Sequence, residues 1–415
     1  MELQGRLGAL TERNFRLVFS STTISALGDG VTTVALAFAV LHISGSATAL
    51  GLVLAARQAS SAAITVAAGV WADRLPRHLV LVAAATVQAV VQAIAGTIVV
   101  TGQAHVWMLA VLGLAFGLAD GFVIPTSQGL IPLVVSSTRL QQANALLGLS
   151  RSILGIVGPA IGGVLVAAGS PGSALLVDAA SFGVAAVLLL RVSIPASADA
   201  VEPEPFFAEL RAGWNEFRRQ TWIWTTIVFF GIGNFASMSV FVLGPLIAKR
   251  HYSGGSTWAL LVSMFAAGTI VGGVIALRFR PGRPLLASCL AAVPLTLQAV
   301  GLALMPPVWV LVSFYVVAGT GLAIHLALWF TVFQQHVPEA ARSRVSSYDA
   351  LGSFVLVPLG SALAGPMSAL VGIRATLIGT FAIELACFAF VIAQPSVWAI
   401  RRNPGEAVAG AEAAA

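Results

Sequence analysis

Apolar residues run along this chain in long blocks, and polar or helix-breaking residues fall between them at nearly regular intervals. A helix rises about 1.5 Å per residue, so crossing the hydrocarbon of a bilayer takes about 20 apolar residues. Twelve blocks have that length: 17–41, 47–71, 79–100, 106–127, 141–168, 173–190, 221–247, 257–277, 285–304, 308–332, 345–370 and 373–394. Turn-forming residues separate them, among them Ser44-Gly45-Ser46, Thr101-Gly102-Gln103, Gly169-Ser170-Pro171-Gly172, Ser253-Gly254-Gly255 and Pro306-Pro307. The first block follows Arg6, Arg13 and Arg16, exceeds the length of a signal-peptide core and shows no cleavage motif. It reads as a retained span. The pattern predicts an all-α membrane protein with twelve transmembrane helices.

The longest connection between blocks, 191–220, lies between spans six and seven. Its first part, Pro195 to Pro205, is polar and carries Glu202 and Glu204. In its second part Phe206, Phe207, Leu210, Trp214 and Phe217 recur at helical spacing, with Glu209, Arg211, Glu216 and Arg218 between them. That alternation predicts an amphipathic helix on the inner membrane surface. The chain then divides into an N-terminal six-helix half (1–191), a cytoplasmic linker (192–220), a C-terminal six-helix half (221–395) and a disordered cytoplasmic tail (396–415). The halves look related. Gly69-Val70-Trp71-Ala72-Asp73-Arg74 follows span two, and Gly273-Val274-Ile275-Ala276-Leu277-Arg278 closes span eight 204 residues later. Tandem halves with a substrate site between them are one architecture for alternating access.

Composition makes lipid the solvent. Hydrophobic residues are 58% of the 415 and charged residues 9%, against about 25% charged in a soluble domain. Disordered, collagenous and coiled-coil classes are excluded on the same ground. Cys289 and Cys387 lie in apolar runs without zinc-type spacing and read as packing residues. Lys249 is the only lysine and follows Ala248, so no phosphate-binding G-x-x-x-x-G-K-[ST] loop exists. H-E-x-x-H and G-x-S-x-G are absent as well. The expectation is a protein that is not an enzyme and uses no cofactor or metal.

The net charge of +6 would suggest nucleic acid in a soluble protein, but the placement of the charges gives another reading. With twelve crossings, seventeen arginines fall on one side: Arg6, Arg13, Arg16, Arg74, Arg77, Arg139, Arg191, Arg211, Arg218, Arg219, Arg278, Arg280, Arg283, Arg342, Arg344, Arg401 and Arg402. Lys249, Arg250 and Arg374 fall on the other. Cationic loops stay on the cytoplasmic side, so both termini are expected there, in a plasma or inner membrane.

Ionisable residues within spans carry functional information, because a charge at the bilayer centre costs several kcal/mol. They are Asp29, Arg57, Asp120, Arg151, His325, Asp349 and Glu384. Asp29 and Arg57 are each fourteen residues from position 43 on consecutive antiparallel spans, which puts both about 21 Å below the turn. Arg151 lies near the same depth. Asp29 is therefore expected to neutralise Arg57 or Arg151, and is the candidate proton carrier. Glu384 lies mid-span in helix twelve. Asp349, at the inner start of span eleven, reads as a structural partner, and Asp178, near the outer end of span six, as a helix-end residue. Gln88 and Gln92, one turn apart in span three, read as interhelical hydrogen-bonders.

These residues resemble a known family. Gly69-Val70-Trp71-Ala72-Asp73-Arg74-Leu75-Pro76-Arg77-His78 resembles the G-x-x-x-D-R-x-G-R-R loop between helices two and three of the major facilitator superfamily, with Pro76 in place of the motif glycine and His78 in place of its last base. Asn14-Phe15-Arg16, Gly28-Asp29, Gly45 to Gly51, Pro125 with Gln128 and Pro132, and Asp178 to Phe182 resemble the branch of enterobactin exporters and macrolide-efflux proteins. Gly155, Gly158-Pro159 and Gly162-Gly163 resemble the G-P-x-x-G-G element of its antiporters. The resemblance implies two six-helix halves rocking about a central cavity formed by helices one, four, seven and ten. It implies a cytoplasmic latch of Gly69, Asp73, Arg74 and Arg77, with Asp120 toward the inner end of span four as a partner for one arginine. Phe235, Phe241, Phe314, Tyr315, His325 and Trp329 on spans seven and ten are the cavity candidates. The expected function is secondary active export of a lipophilic small molecule, an antibiotic or siderophore, in exchange for protons. The expected partners are that substrate, protons and the bilayer, with no nucleic acid, and the expected state is a monomer. A non-transporting membrane receptor, a lipid-handling scaffold and an uncoupled facilitator remain open on these residues.

Overall fold

The structure is a computed structural model. It describes residues 8–72, 75–193, 218, 221–337 and 339–401, with side chains described throughout these except at 66–72, 339–344, 347 and 350. The linker's amphipathic segment, apart from Arg218, and the tail beyond Arg401 lie outside the described residues. Every described element is helical. The first half contains α1 (Arg13–Ser44), α2 (Ala47–Ala72), α3 (Arg77–Val100), α4 (Val106–Val134), α5 (Leu140–Ala168) and α6 (Pro171–Leu190). Then follow α7 (Thr221–His251), α8 (Gly255–Arg278), α9 (Pro284–Ala292), α10 (Leu297–Leu304), α11 (Val308–His336), α12 (Glu339–Phe354), α13 (Val357–Val371), α14 (Ile373–Ala393) and a short α15 (Pro395–Ala399). Among the described residues, twelve stretches are long and apolar enough to span a membrane. The protein is a multi-pass membrane protein of the expected all-α class.

Local chemistry explains the boundaries. α1 ends at Gly45 in the left-handed region (φ 62°), whose N–H donates to the Leu41 carbonyl, a conformation glycine adopts without a Cβ penalty. α6 begins with a reciprocal capping box between Ser170 and Ser173, and Pro171 sits in its first turn. Span nine is two helices, α9 and α10, joined by a 3-10 turn over Val293–Thr296 that contains Pro294. α4, by contrast, continues through Pro125 and Pro132 to Val134. That continuation corrects one expectation. Asp120 is the fifteenth of the helix's 29 residues, at mid-span, because the helix continues through both prolines instead of ending before them.

Contacts divide the chain into two compact units. One consists of the described residues of Met1–Ala200, Met238–Ala266 and Val357–Thr376. Within it α1 packs on α5 and α6, α2 on α4, α3 on α6, and α13 on α2. The other consists of the described residues of Val201–Ser237, Ala267–Leu356 and Leu377–Ala415. Its core gathers Trp222, Ile223, Ile227, Leu285, Cys289, Trp329, Val332 and Phe333. In bilayer-spanning helices such packing comes from close van der Waals fit and a few polar contacts rather than from water exclusion.

Candidate functional site

Asp29 sits on α1 between Gly28 and Gly30, and its Oδ1 lies 3.5 Å from Nη2 of Arg57 on α2. Of the two arginines that depth arithmetic offers, Arg57 makes the pair. Arg151 is exposed and has no ion pair among the described residues. The other face of the Arg57 guanidinium covers Phe116 on α4, with Cζ 3.8 Å from the ring centroid, a cation–π contact. Phe116 is held edge-on by Phe182 of α6 at 5.6 Å. α2 and α4 approach closely here because Gly117 has no side chain: a Cβ on it would come 2.1 Å from the Arg57 carbonyl oxygen. Asp120, one turn further along α4, accepts a 3.0 Å hydrogen bond from Ser61. Asp120 and Asp178 both lie within electrostatic reach of Asp29. Of the three, Asp29 is the one paired with Arg57.

Asp178 is fully buried rather than at a helix end. Its Oδ2 accepts hydrogen bonds from Thr32 Oγ1 of α1 at 2.6 Å and from Gln92 Nε2 of α3. Ser181 Oγ, 3.4 Å from Oδ1, donates mainly to the Asp178 carbonyl at 2.7 Å. This cluster joins spans one, three and six, and its sequence signal was the pair Gln88 and Gln92 in an apolar helix. It also explains Gly28, because a Cβ there would overlap Ser181 Oγ and Asp178 Oδ1 at 2.1 and 2.2 Å.

The glycine-proline element of α5 lies against the same stretch of α1. A Cβ on Gly158 would come within 2.8 Å of the Gly30 Cα, and one on Gly162 within 2.6 Å of the Val31 carbonyl oxygen. Gly163 faces Ala259 of α8 instead, where a Cβ would sit 2.4 Å from the alanine methyl. Pro159 and its flanking glycines therefore bring α5 into backbone contact with α1 beside Asp29, and into side-chain contact with α8.

Of the expected latch, Asp73 and Arg74 lie outside the described residues, and Gly69 lies in the last turns of α2. Arg77 opens α3 and donates through Nη1 to the Gly129 carbonyl of α4. Asp120, offered as a partner for a latch arginine, bonds to Ser61 among the described residues.

The aromatic candidates separate differently from the expectation. Tyr315, His325 and Trp329 are buried. His325 Nδ1 meets the Ser288 carbonyl and hydroxyl oxygens at 3.1 and 2.9 Å, and Phe230 packs edge-on to its ring at 4.7 Å. Trp329 donates to Asp349 at 3.3 Å. Phe314 packs on Gly301 of α10. Trp329 belongs to the core of its unit, and His325 and Phe314 pack against Ser288, Phe230 and Gly301. Phe235 is half-buried and Phe241 exposed. A further set of contacts had no sequence signal. Gln58 Oε1 accepts from Ser361 Oγ of α13 at 2.7 Å, its Nε2 approaches Met238 Sδ of α7 at 3.8 Å, and Lys249 Nζ donates to the Leu41 carbonyl at 2.7 Å.

Comparison with known proteins agrees with this architecture. The family profile of the Major Facilitator Superfamily matches residues 18–357. Macrolide efflux protein A of Streptococcus pyogenes is 21% identical over 366 residues, covering 87% of this chain and 90% of the relative. Enterobactin exporter EntS of Escherichia coli is 27% identical over 372 residues, covering 87% and 86%. Among solved structures, the nucleoside transporter NupG (D323A mutant) superposes with a TM-score of 0.73 at 14% identity, over 91% of this chain and 99% of that one. A bacterial homolog of the human lysosomal transporter Spinster gives 0.69 at 16% identity, over 94% and 99%. The structural likenesses show the fold, and the profile covers most of the chain. The chain belongs to the Major Facilitator Superfamily and is a multi-pass membrane transporter of that family.

Proposed function

We propose that the chain is a proton-coupled antiporter that exports a lipophilic small molecule, such as an antibiotic or siderophore, by alternating access. It lies in the cell membrane with both termini cytoplasmic. The observation that carries this reading is the Asp29–Arg57 pair at 3.5 Å in the middle of the first two spans. The pair is only partly covered, with 23% of the Arg57 side chain and 45% of the Asp29 side chain accessible, so the acid is open to a proton at mid-span. A pair that opens when Asp29 takes a proton does work in a transport cycle. Protonation removes the anion, while the Phe116 face keeps a partner for the guanidinium. α1 is then free to move against α2. The direction, export, is supported by the relatives named for macrolide efflux and enterobactin export. The loop holding Asp73, Arg74 and Arg77 is assigned the cytoplasmic latch by its motif.

Purified protein in liposomes with an imposed pH gradient tests the reading, with a macrolide and enterobactin as the first probes. The wild type should drive the accepted probe against its gradient and move protons the other way. Asp29→Asn should reach the membrane, bind the probe and lose gradient-driven transport. Full gradient-driven transport by Asp29→Asn would remove Asp29 from the coupling step.

A further inference from the structure

Arg57 and Gln58 are consecutive on α2 and bind different parts of the protein. Arg57 faces α1 and α4 through Asp29 and Phe116. Gln58 faces α13 and α7, accepting from the buried Ser361 hydroxyl at 2.7 Å and approaching Met238 Sδ at 3.8 Å. Neighbouring side chains on a helix point about 100° apart on a rigid backbone, because the helix turns once in 3.6 residues. Both contacts cannot adjust independently. The backbone of α2 is also wedged on two sides at this level. Gly117 of α4 abuts the Arg57 carbonyl, and Gly51, two turns before Gln58, abuts the Ser361 carbonyl, each at a distance where a Cβ would not fit. A rotation or shift of α2 that relaxes one contact must strain the other.

We propose that Gln58 is the positioning residue that links the charge state of Asp29 to the closure of α2 on α7 and α13. While Arg57 is held by an ionised Asp29, α2 keeps the rotation that presents Gln58 to Ser361. When Asp29 is neutral, Arg57 is released, α2 turns, and the Gln58–Ser361 hydrogen bond breaks. The closure over the Ser361 face then loosens. This inference rests on the proposed role of Asp29, and adds the route by which its charge reaches the closure.

The test is a thermodynamic cycle that needs no transported substrate. Val242 of α7 is fully buried and packs 3.6 Å from the position a Cβ on Gly51 would take. Val242→Cys, in protein whose Cys289 and Cys387 are replaced by alanine, reports opening through its rate of alkylation by a maleimide. Asp29→Asn stands for the protonated acid. With Gln58 present it should raise the alkylation rate about 5- to 100-fold, the usual size of a coupling between two sites. Gln58→Ala alone should raise it about 2- to 12-fold, the worth of one net hydrogen bond. In Gln58→Ala protein, Asp29→Asn should add less than about twofold, because the link is already cut; Gln58→Glu in place of alanine keeps an acceptor for Ser361 and should restore the response. Effects of Asp29→Asn and Gln58→Ala that simply multiply would overturn the link. A coupled labelling cycle together with transport independent of a pH gradient would keep the link and sink the proton-antiport reading. Gradient-driven transport with an uncoupled cycle would do the reverse. A Gln58→Ala protein that fails to fold leaves Ser361→Ala, which removes the same hydrogen bond from the other side and must give the same non-additivity.

Discussion

Gly158 of α5 rests on Gly30 of α1, so that a Cβ on either would lie 2.8 Å from the Cα of the other. The atoms in the way are backbone, which cannot swing aside. Gly158→Ala is therefore expected to cost about 1–3 kcal/mol, the usual penalty for overpacking a tight contact, and to slow transport. Gly155→Ala is the control on the same helix, since its Cβ would meet only the Ala266 methyl at 3.4 Å. Thermal melting followed by fluorescence-detected size exclusion should separate the two. Equal melting temperatures would mean that α1 and α5 can part without loss.

The second expectation concerns Asp178, whose carboxylate is fully buried and bonded by Thr32 and Gln92. Asp178→Leu leaves the buried Thr32 hydroxyl without its acceptor and the Gln92 amide with only Thr32 Oγ1 at 3.1 Å, at about 1–3 kcal/mol for an orphaned donor. Replacing both sides of a hydrogen bond with apolar groups is nearly neutral. The triple variant Asp178→Leu, Thr32→Val, Gln92→Leu should thus melt above Asp178→Leu alone. A triple variant that melts lower would show that packing, not hydrogen bonding, dominates the cluster.

Depth along each helix was legible in the sequence, and rotation about each helix was not. Counting fourteen residues each way from position 43 places Asp29 and Arg57 level, and the two are 3.5 Å apart. The same counting gives no facing for Trp329, which reads as a cavity residue although it lies in the core of its unit with Trp222 and Phe333. A mid-membrane helix is apolar on every side, which erases the contrast between the apolar stripe facing the core and the polar face opposite it that reveals the rotation of a soluble helix. Asp178 was misplaced for a related reason. Its partners Thr32 and Gln92 lie 146 and 86 residues away, and only packing brings them to it. Gln58 and Ser361, 303 residues apart, left no pattern at all.

The third expectation is a pH dependence at the base of α1. Glu12 accepts from the Ser136 hydroxyl at 2.8 Å and the Ser136 N–H at 2.9 Å, and Arg139 lies 3.4 Å away. The Ser136 hydroxyl bond, aided by its N–H and by Arg139, holds the carboxyl below the ordinary glutamate value of 4.5. A depressed carboxyl contributes stability above its unfolded value and loses it as pH falls through the folded one. The gap in melting temperature between wild type and Glu12→Gln should be present at pH 7 and shrink as the pH falls below 4.5. The gap corresponds to at most about 1 kcal/mol, since the group is solvated and screened. A gap that persists at pH 3 would assign the effect to packing rather than charge.

The last expectation uses Lys249, the only lysine in the sequence. It ends α7, is exposed, and its Nζ donates to the Leu41 carbonyl at 2.7 Å. That carbonyl also receives the N–H of Gly45 at 3.1 Å. The last carbonyls of a helix carry the negative end of its dipole, so a cation there is favourable by about 0.3–1 kcal/mol. Lys249→Met should lower the melting temperature slightly, and Lys249→Arg should not. The same residue reports orientation. Seventeen arginines share one side in the twelve-crossing reading, while Lys249 and Arg250 fall opposite. Cationic loops are retained in the cytoplasm. An impermeant amine-reactive ester applied to intact cells should therefore label wild type at Lys249 and leave Lys249→Arg unlabelled, because Lys249 is the only lysine in the sequence and the proposed topology keeps the α-amino group on the cytoplasmic side. Labelling that appears only after the cells are permeabilised would invert the bundle. It would place the Ser361 closure on the cytoplasmic face, and with it reverse the direction in which a proton entering at Asp29 could drive the substrate.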